Sequence, residues 1–72
     1  MINEISIKEE FIRLDQALKL AGFVMTGGMA KMIIQDGLVT VNGEVCTQRG
    51  KKLRLGDTAE FDGNKLIIKN AG

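Results

Sequence analysis

The sequence has no histidine, no tryptophan, no tyrosine and a single cysteine, Cys46. Without histidine and with one cysteine, the common zinc ligand sets and an internal disulfide are excluded. Acid–base and nucleophilic catalysis rely on histidine, on an activated cysteine or serine, or on paired carboxylates in a cleft. Neither Cys46 nor Ser6 has a base beside it in a recognisable motif, and Cys46 is best interpreted as a small buried apolar residue. The sequence therefore predicts no enzyme, no metal site and no cofactor.

Long apolar runs are also absent. No run exceeds three residues, as at 32–34 and 66–68, whereas a membrane span needs about 20 residues and a signal-peptide core about 7 or more. Three phenylalanines are the only aromatic residues, which is too few for a platform that stacks single-stranded bases. We therefore expect a cytoplasmic protein that makes no membrane contact.

What the sequence does contain is typical of one small globular domain, spanning residues 1–72, with 44% hydrophobic and 26% charged residues. The net charge is +1, but residues 49–54 hold four cations and no anion, so this basic segment carries +4 and the remainder carries −3. A concentrated positive charge of this kind suits the neutralisation of phosphates in RNA or DNA. A solvated surface loop is the other interpretation.

Apolar spacing separates a helical part from a strand part. Leucines and alanines at helical spacing predict a first helix over 13–21. Thr26 is a good N-cap for a second helix that ends before Gly37. Because the connection is only about four residues long, the two helices should be adjacent in space.

After Gly37 the apolar period changes to two, and Asn42-Gly43 predicts a tight hairpin. Short strands are predicted to follow it, and residues 2–8 also fit a strand with Ile5 and Ile7 on one face. The predicted fold class is α+β, with two short adjacent helices packed on a small antiparallel β-sheet. The residues predicted to form the core are Leu14, Ala17, Leu18, Ile33, Ile34, Val39, Val41, Leu53 and Phe61.

An ordered series of motifs over residues 13–57 resembles the S4 RNA-binding domain family. The matching residues are Arg13-Leu14-Asp15, Leu18-Lys19, Gly22, Ala30, Ile33-Ile34, Gly37, Val39, Val41-Asn42-Gly43, Leu53 and Gly56-Asp57. The chain is most similar to small stand-alone bacterial members. The resemblance implies an alpha-L fold, in which two helices and the following hairpin form an L-shaped surface for structured RNA. It also implies a non-enzymatic protein that contacts ribosomal RNA or tRNA, on the ribosome during assembly, translation or quality control.

Ten residues are predicted to contact RNA, and all are basic or lie at the start of the second helix. They are Arg13, Lys19, Thr26, Gly27, Gly28, Lys31, Arg49, Lys51, Lys52 and Arg54. Basic side chains neutralise phosphates, and glycines leave the free N–H groups of a helix N-terminus approachable. The competing interpretations are a helix cap for Thr26, a turn for the two glycines and a surface ion pair for Arg13.

Two other functions compete with RNA binding. Many family members carry a basic residue where this chain has Thr26-Gly27, so a protein-interaction module that keeps the fold with a weakened RNA surface is the alternative. A sulfur carrier or ubiquitin-like protein needs a terminal Gly-Gly, whereas this chain ends Asn70-Ala71-Gly72, and we set that possibility aside. Nothing in the sequence demands pairing of edge strands, so we expect a monomer.

Overall fold

The computed structural model describes residues 2–71, so Met1 and Gly72, the two ends of the predicted domain, lie outside the described residues. The elements in chain order are β1 (Ile2–Ile7), β2 (Ile12–Arg13), α1 (Leu14–Leu20), α2 (Gly27–Gln35), β3 (Val39–Val41), β4 (Glu44–Val45), β5 (Lys52–Leu53), β6 (Thr58–Phe61) and β7 (Asn64–Asn70). The α+β class and the two adjacent helices are confirmed. The first helix is shorter than predicted, because Arg13 belongs to β2 and α1 begins at Leu14.

Within residues 2–71, five strands form one sheet in the order β1-β7-β6-β3-β4, and β2 and β5 form a separate two-stranded ribbon. Neighbouring strands are antiparallel except β1 and β7, which run parallel from Ile2 opposite Lys65 to Ile7 opposite Asn70. The sheet is therefore mixed, and the expectation of a small antiparallel sheet is corrected in this one strand pair. Parallel strands require a crossover connection, and here the helices and hairpins between the two ends of the chain supply it.

Two hairpin turns use the same local chemistry. Asn42 and Gly43 have φ values of 51° and 87°, and Asp62 and Gly63 have 52° and 78°. Two consecutive residues with positive φ are the requirement of a type I′ turn, whose twist matches that of the strands it joins. The hairpin predicted from Asn42-Gly43 is confirmed, and a second one connects β6 to β7.

The core lies between the helices, the ribbon and the sheet. Among residues 2–71 its buried members are Ile5, Ile7, Ile12, Leu14, Ala17, Leu18, Val24, Ala30, Ile33, Ile34, Val39, Val41, Leu53, Ala59, Leu66 and Ile68. Every residue predicted for the core is in this set except Phe61, which is half-buried and packs against it. Cys46 also packs at this margin, and its Sγ lies 3.7 Å from the carbonyl oxygen of Gln48. Among residues 2–71 no polar or charged side chain is buried.

Candidate nucleic-acid interface

The two-stranded ribbon has one apolar face and one basic face. Ile12 pairs with Leu53, and both side chains are buried in the core. Arg13 pairs with Lys52, and both are exposed. Successive residues of a strand point to opposite sides, so burial of the first pair directs the second pair to solvent. We call the solvent side, formed by Phe11, Arg13, Lys52 and Arg54, the basic face of the ribbon.

The ring of Phe11 lies close to two of these cations. The Nζ atom of Lys52 lies 4.8 Å from the centroid of the Phe11 ring, and the Cζ atom of Arg54 lies 5.9 Å from it. The negative face of an aromatic ring attracts a cation within about 6 Å, by about 0.5–1 kcal/mol at an exposed site. Phe11 itself is half-buried. Lys52 and Arg54 are thus held on one side of the ribbon.

The basic segment is also attached to helix α1 through its backbone. The N–H groups of Leu14 and Asp15 donate to the carbonyl oxygens of Lys51 and Arg49 at 2.8 and 3.1 Å. Arg13, the N-cap residue of α1, makes no side-chain capping bond. Because the first N–H groups of a helix lack intrahelical partners, the carbonyls of the basic segment satisfy two of them. Two backbone contacts therefore hold the segment against α1, while its four cationic side chains are exposed to solvent.

Most of the cations at this surface have no ion-pair partner among the described residues. Arg13 forms an ion pair with Asp15, with 3.1 Å between Nη2 and Oδ2, as one interpretation of the sequence expected. Within residues 2–71, none of Arg49, Lys51, Lys52 and Arg54 is ion-paired. Like charges held close together repel one another and oppose folding. An anionic partner would relieve that repulsion.

The start of α2 is capped by Thr26, and no side chain crowds its two glycines. The Thr26 Oγ1 atom accepts a hydrogen bond from the N–H of Met29 at 3.1 Å, so the capping role is confirmed. Gly27 and Gly28 are the first two residues of the helix, so they belong to α2 and not to the turn that precedes it. A Cβ atom at Gly27 would meet nothing within 4 Å, and one at Gly28 would meet only Thr26 Oγ1, at 3.8 Å. As the first N–H groups of a helix, those of Gly27 and Gly28 have no intrahelical partner.

The fold directly connects five of the ten predicted residues. The fold brings Arg13, Arg49, Lys51, Lys52 and Arg54 together at the ribbon and the N-terminus of α1. Lys19 and Lys31 are exposed on the two helices. Neither they nor the residues at 26–28 make a hydrogen bond or ion pair with the ribbon within the described part of the chain.

Phe11 is the residue of this surface that the sequence reasoning missed. Its signal was its position two residues before Arg13, which places both side chains on one side of a strand. Strands of two residues are too short for that alternation to be recognised.

Two further features of residues 2–71 bear on function. No group of three histidine, cysteine, aspartate or glutamate side chains is placed to hold a metal ion. Helices α1 and α2, with seven and nine residues, are both too short to cross a membrane.

Comparison with known proteins finds one matching family and several similar proteins. The sequence model of the S4 domain family matches residues 5–69 of this chain. A protein of Bacillus subtilis (strain 168) named "Probable ribosome maturation protein RlbA" is 48% identical over 63 residues, which cover 88% of this chain and 89% of that protein. A protein of Escherichia coli (strain K12) named "Putative RNA-binding protein YbcJ" is 36% identical over 61 residues, covering 85% and 87% of the two chains.

The fold agrees with a solved relative. The solution structure of YbcJ from E. coli superposes with a TM-score of 0.69 at 31% identity, covering 94% of this chain and 85% of that one. That structure is described as revealing an ALFAL motif involved in RNA-binding. The family model covers both helices, the ribbon and nearly the whole sheet, and the relatives match over most of their own length. The chain therefore belongs to the S4 domain family.

Proposed function

We propose that this chain is a non-enzymatic RNA-binding protein that contacts folded ribosomal RNA during maturation of ribosomal particles in the cytoplasm. Membership of the S4 domain family, the RNA-binding motif described for YbcJ and the ribosome maturation role in the name of the 48%-identical relative support it. The observation that carries it is the basic face of the ribbon, where Lys52 and Arg54 are exposed and have no ion pair among residues 2–71.

The chemistry of this surface suits structured RNA. An A-form helix hides its base edges in a deep, narrow groove, so a small protein reads its phosphate backbone and 2′-hydroxyls. The ribbon supplies cations for phosphates, and the start of α2 supplies free backbone N–H groups beside the exposed Lys31. We assign the ribbon and the basic segment to the main contact, and Lys19, Lys31 and residues 26–28 to a second contact.

The salt dependence of binding tests this assignment. If about four phosphates are neutralised, the log–log slope of affinity against salt should be on the order of −3. A Lys51→Ala, Lys52→Ala variant should reduce the magnitude of that slope by up to about two units. Each lost cation leaves one phosphate unneutralised, so fewer counterions are released from the RNA on binding. The measurement is a fluorescence anisotropy titration with a ribosomal RNA fragment at several salt concentrations.

A matched control has the same change in net charge. Lys65 and Lys69 pair with Glu60 and Glu4 on the sheet, outside the proposed surface. A Lys65→Ala, Lys69→Ala variant should keep the original slope. Equal slopes for the two variants would show that the ribbon is not the RNA contact.

Helix α2 permits a test in which stability and binding move in opposite directions. Gly28 has no φ that requires glycine, so Gly28→Ala should raise the free energy of unfolding by about 0.5 kcal/mol. The added methyl group should obstruct approach of a phosphate to the helix N–H groups and weaken RNA binding by about threefold or more, the equivalent of one weak hydrogen bond. Urea denaturation and anisotropy titration measure the two effects. Unchanged RNA affinity in a stabilised variant would remove this helix end from the interface.

One observation favours the protein-interaction alternative. Met25, which precedes α2, and Met32, which lies within it, are 83% and 57% exposed, and methionine is an adaptable residue at protein contacts. Under that alternative, binding to ribosomal particles would persist in the Lys51→Ala, Lys52→Ala variant and would show little dependence on salt.

A further inference from the structure

The ring of Phe11 lies beside the cations of the basic face. Lys52 Nζ and Arg54 Cζ lie 4.8 and 5.9 Å from the ring centroid. Phe11 immediately precedes β2, whose next residue, Ile12, is buried opposite Leu53. The backbone that carries the ring is therefore anchored in the core, while the ring stays half-buried under two exposed side chains.

This arrangement bears on the entropy of binding. Lysine and arginine side chains have many rotamers, and a phosphate contact orders them at a cost in affinity. A ring that already attracts both cations reduces the number of conformations available to them before RNA binds. The ring face that the cations cover is not open to a nucleobase.

We propose that Phe11 is a positioning residue of the RNA interface, which orients Lys52 and Arg54 toward the phosphates without itself contacting RNA. The inference rests on the proposed function and adds a role that depends on an aromatic ring. The inference leads to two distinct expectations. Loss of the ring lowers affinity, but it leaves the salt slope unchanged, because the number of cations at the surface is the same.

Three variants test the affinity expectation. Phe11→Leu should weaken binding about 3- to 10-fold, in line with the ordering of one or two long side chains, and Phe11→Tyr, which keeps the ring, should bind like the unchanged protein. Phe61→Leu is the matched control, since Phe61 is also half-buried at the margin of the core and no cation of residues 2–71 lies over its ring. Urea denaturation of each variant shows whether the folded fraction is complete at the conditions of the titration.

A double-mutant cycle separates positioning from direct contact. In a Lys52→Ala, Arg54→Ala background, titrated at low salt to keep binding measurable, Phe11→Leu should cause no further loss. If Phe11→Leu costs the same factor in both backgrounds, the ring contacts RNA itself and the inference is overturned.

Proton NMR gives a readout independent of RNA. Ring currents should shift the ε-methylene protons of Lys52 upfield in the unchanged protein and in Phe11→Tyr, and the shift should vanish in Phe11→Leu. Unshifted Lys52 protons in the unchanged protein, or normal RNA binding by Phe11→Leu, overturn the inference alone. Absence of salt-dependent RNA binding by the unchanged protein overturns the proposed function and this inference with it.

Discussion

A Lys52→Glu, Arg54→Glu variant is expected to bind ribosomal RNA on the order of 100- to 1,000-fold more weakly than the unchanged protein in roughly 0.1 M salt. Each cation that neutralises a phosphate contributes about one power of ten at that salt concentration through counterion release. Reversal of the two charges removes two such contributions and places two anions beside the positions where phosphates would bind. Both side chains are exposed and have no ion pair in the described part of the chain, so the exchange breaks no ion pair there, although the contacts with Phe11 are lost.

Crosslinking and sequencing of RNA from cells that produce each protein at native level measures the consequence. The unchanged protein should give focused crosslinks on one ribosomal RNA element, and the reversed variant should fall to background. A Lys65→Glu, Lys69→Glu variant has the same net charge and changes two exposed ion pairs on the sheet, which are worth little to stability. If both variants lose their crosslinks equally, only total charge matters and the ribbon has no special role.

The parts of the fold that were predicted correctly depend on local chemistry. The helical spacing of Leu14, Ala17 and Leu18 follows from burial of one helix face, and Thr26 starts the second helix through one short hydrogen bond. Asn42-Gly43 forms a hairpin because both residues tolerate positive φ. Each of these signals is confined to a few neighbouring residues, so it can be recognised without knowledge of the rest of the chain.

The parts that could not be predicted depend on contacts between distant residues. The parallel pairing of β1 with β7 joins strands near the two ends of the chain, and no turn motif in the sequence predicts it. The ribbon joins Ile12 and Arg13 to Leu53 and Lys52, and strands of two residues carry no periodicity. The one parallel pair was missed for this reason, since hairpin motifs report only strands that are adjacent in sequence.

The candidate site shows the same division. Charge density identified the basic segment at 49–54 from the sequence, because four cations in six residues need no three-dimensional information. The sequence did not show that carbonyls of this segment cap α1, or that Phe11 lies under Lys52 and Arg54. Both facts depend on the ribbon, and the ribbon depends on Leu53, the buried residue between two of the cations.

Leu53→Ala is expected to unfold much of the protein at room temperature. Leu53 is 0% exposed, so truncation leaves a cavity in the core and costs about 2–5 kcal/mol. A single core of this size rarely supplies more than about 3–5 kcal/mol of stability. The cost is therefore comparable to the whole free energy of unfolding. RNA affinity should fall with the folded fraction, because the basic face exists only while Leu53 and Ile12 hold the ribbon against the core.

Leu55→Ala makes the same chemical change two residues later and supplies the control. Leu55 is 54% exposed and lies beyond the end of β5, so its truncation should change the free energy of unfolding by no more than about 0.5 kcal/mol. Urea denaturation followed by far-UV circular dichroism compares the two variants with the unchanged protein. A common midpoint for all three would mean that Leu53 contributes little to the core. A large difference between two leucines on either side of Arg54 would show that burial of the ribbon, and not its charge, holds the basic face in place.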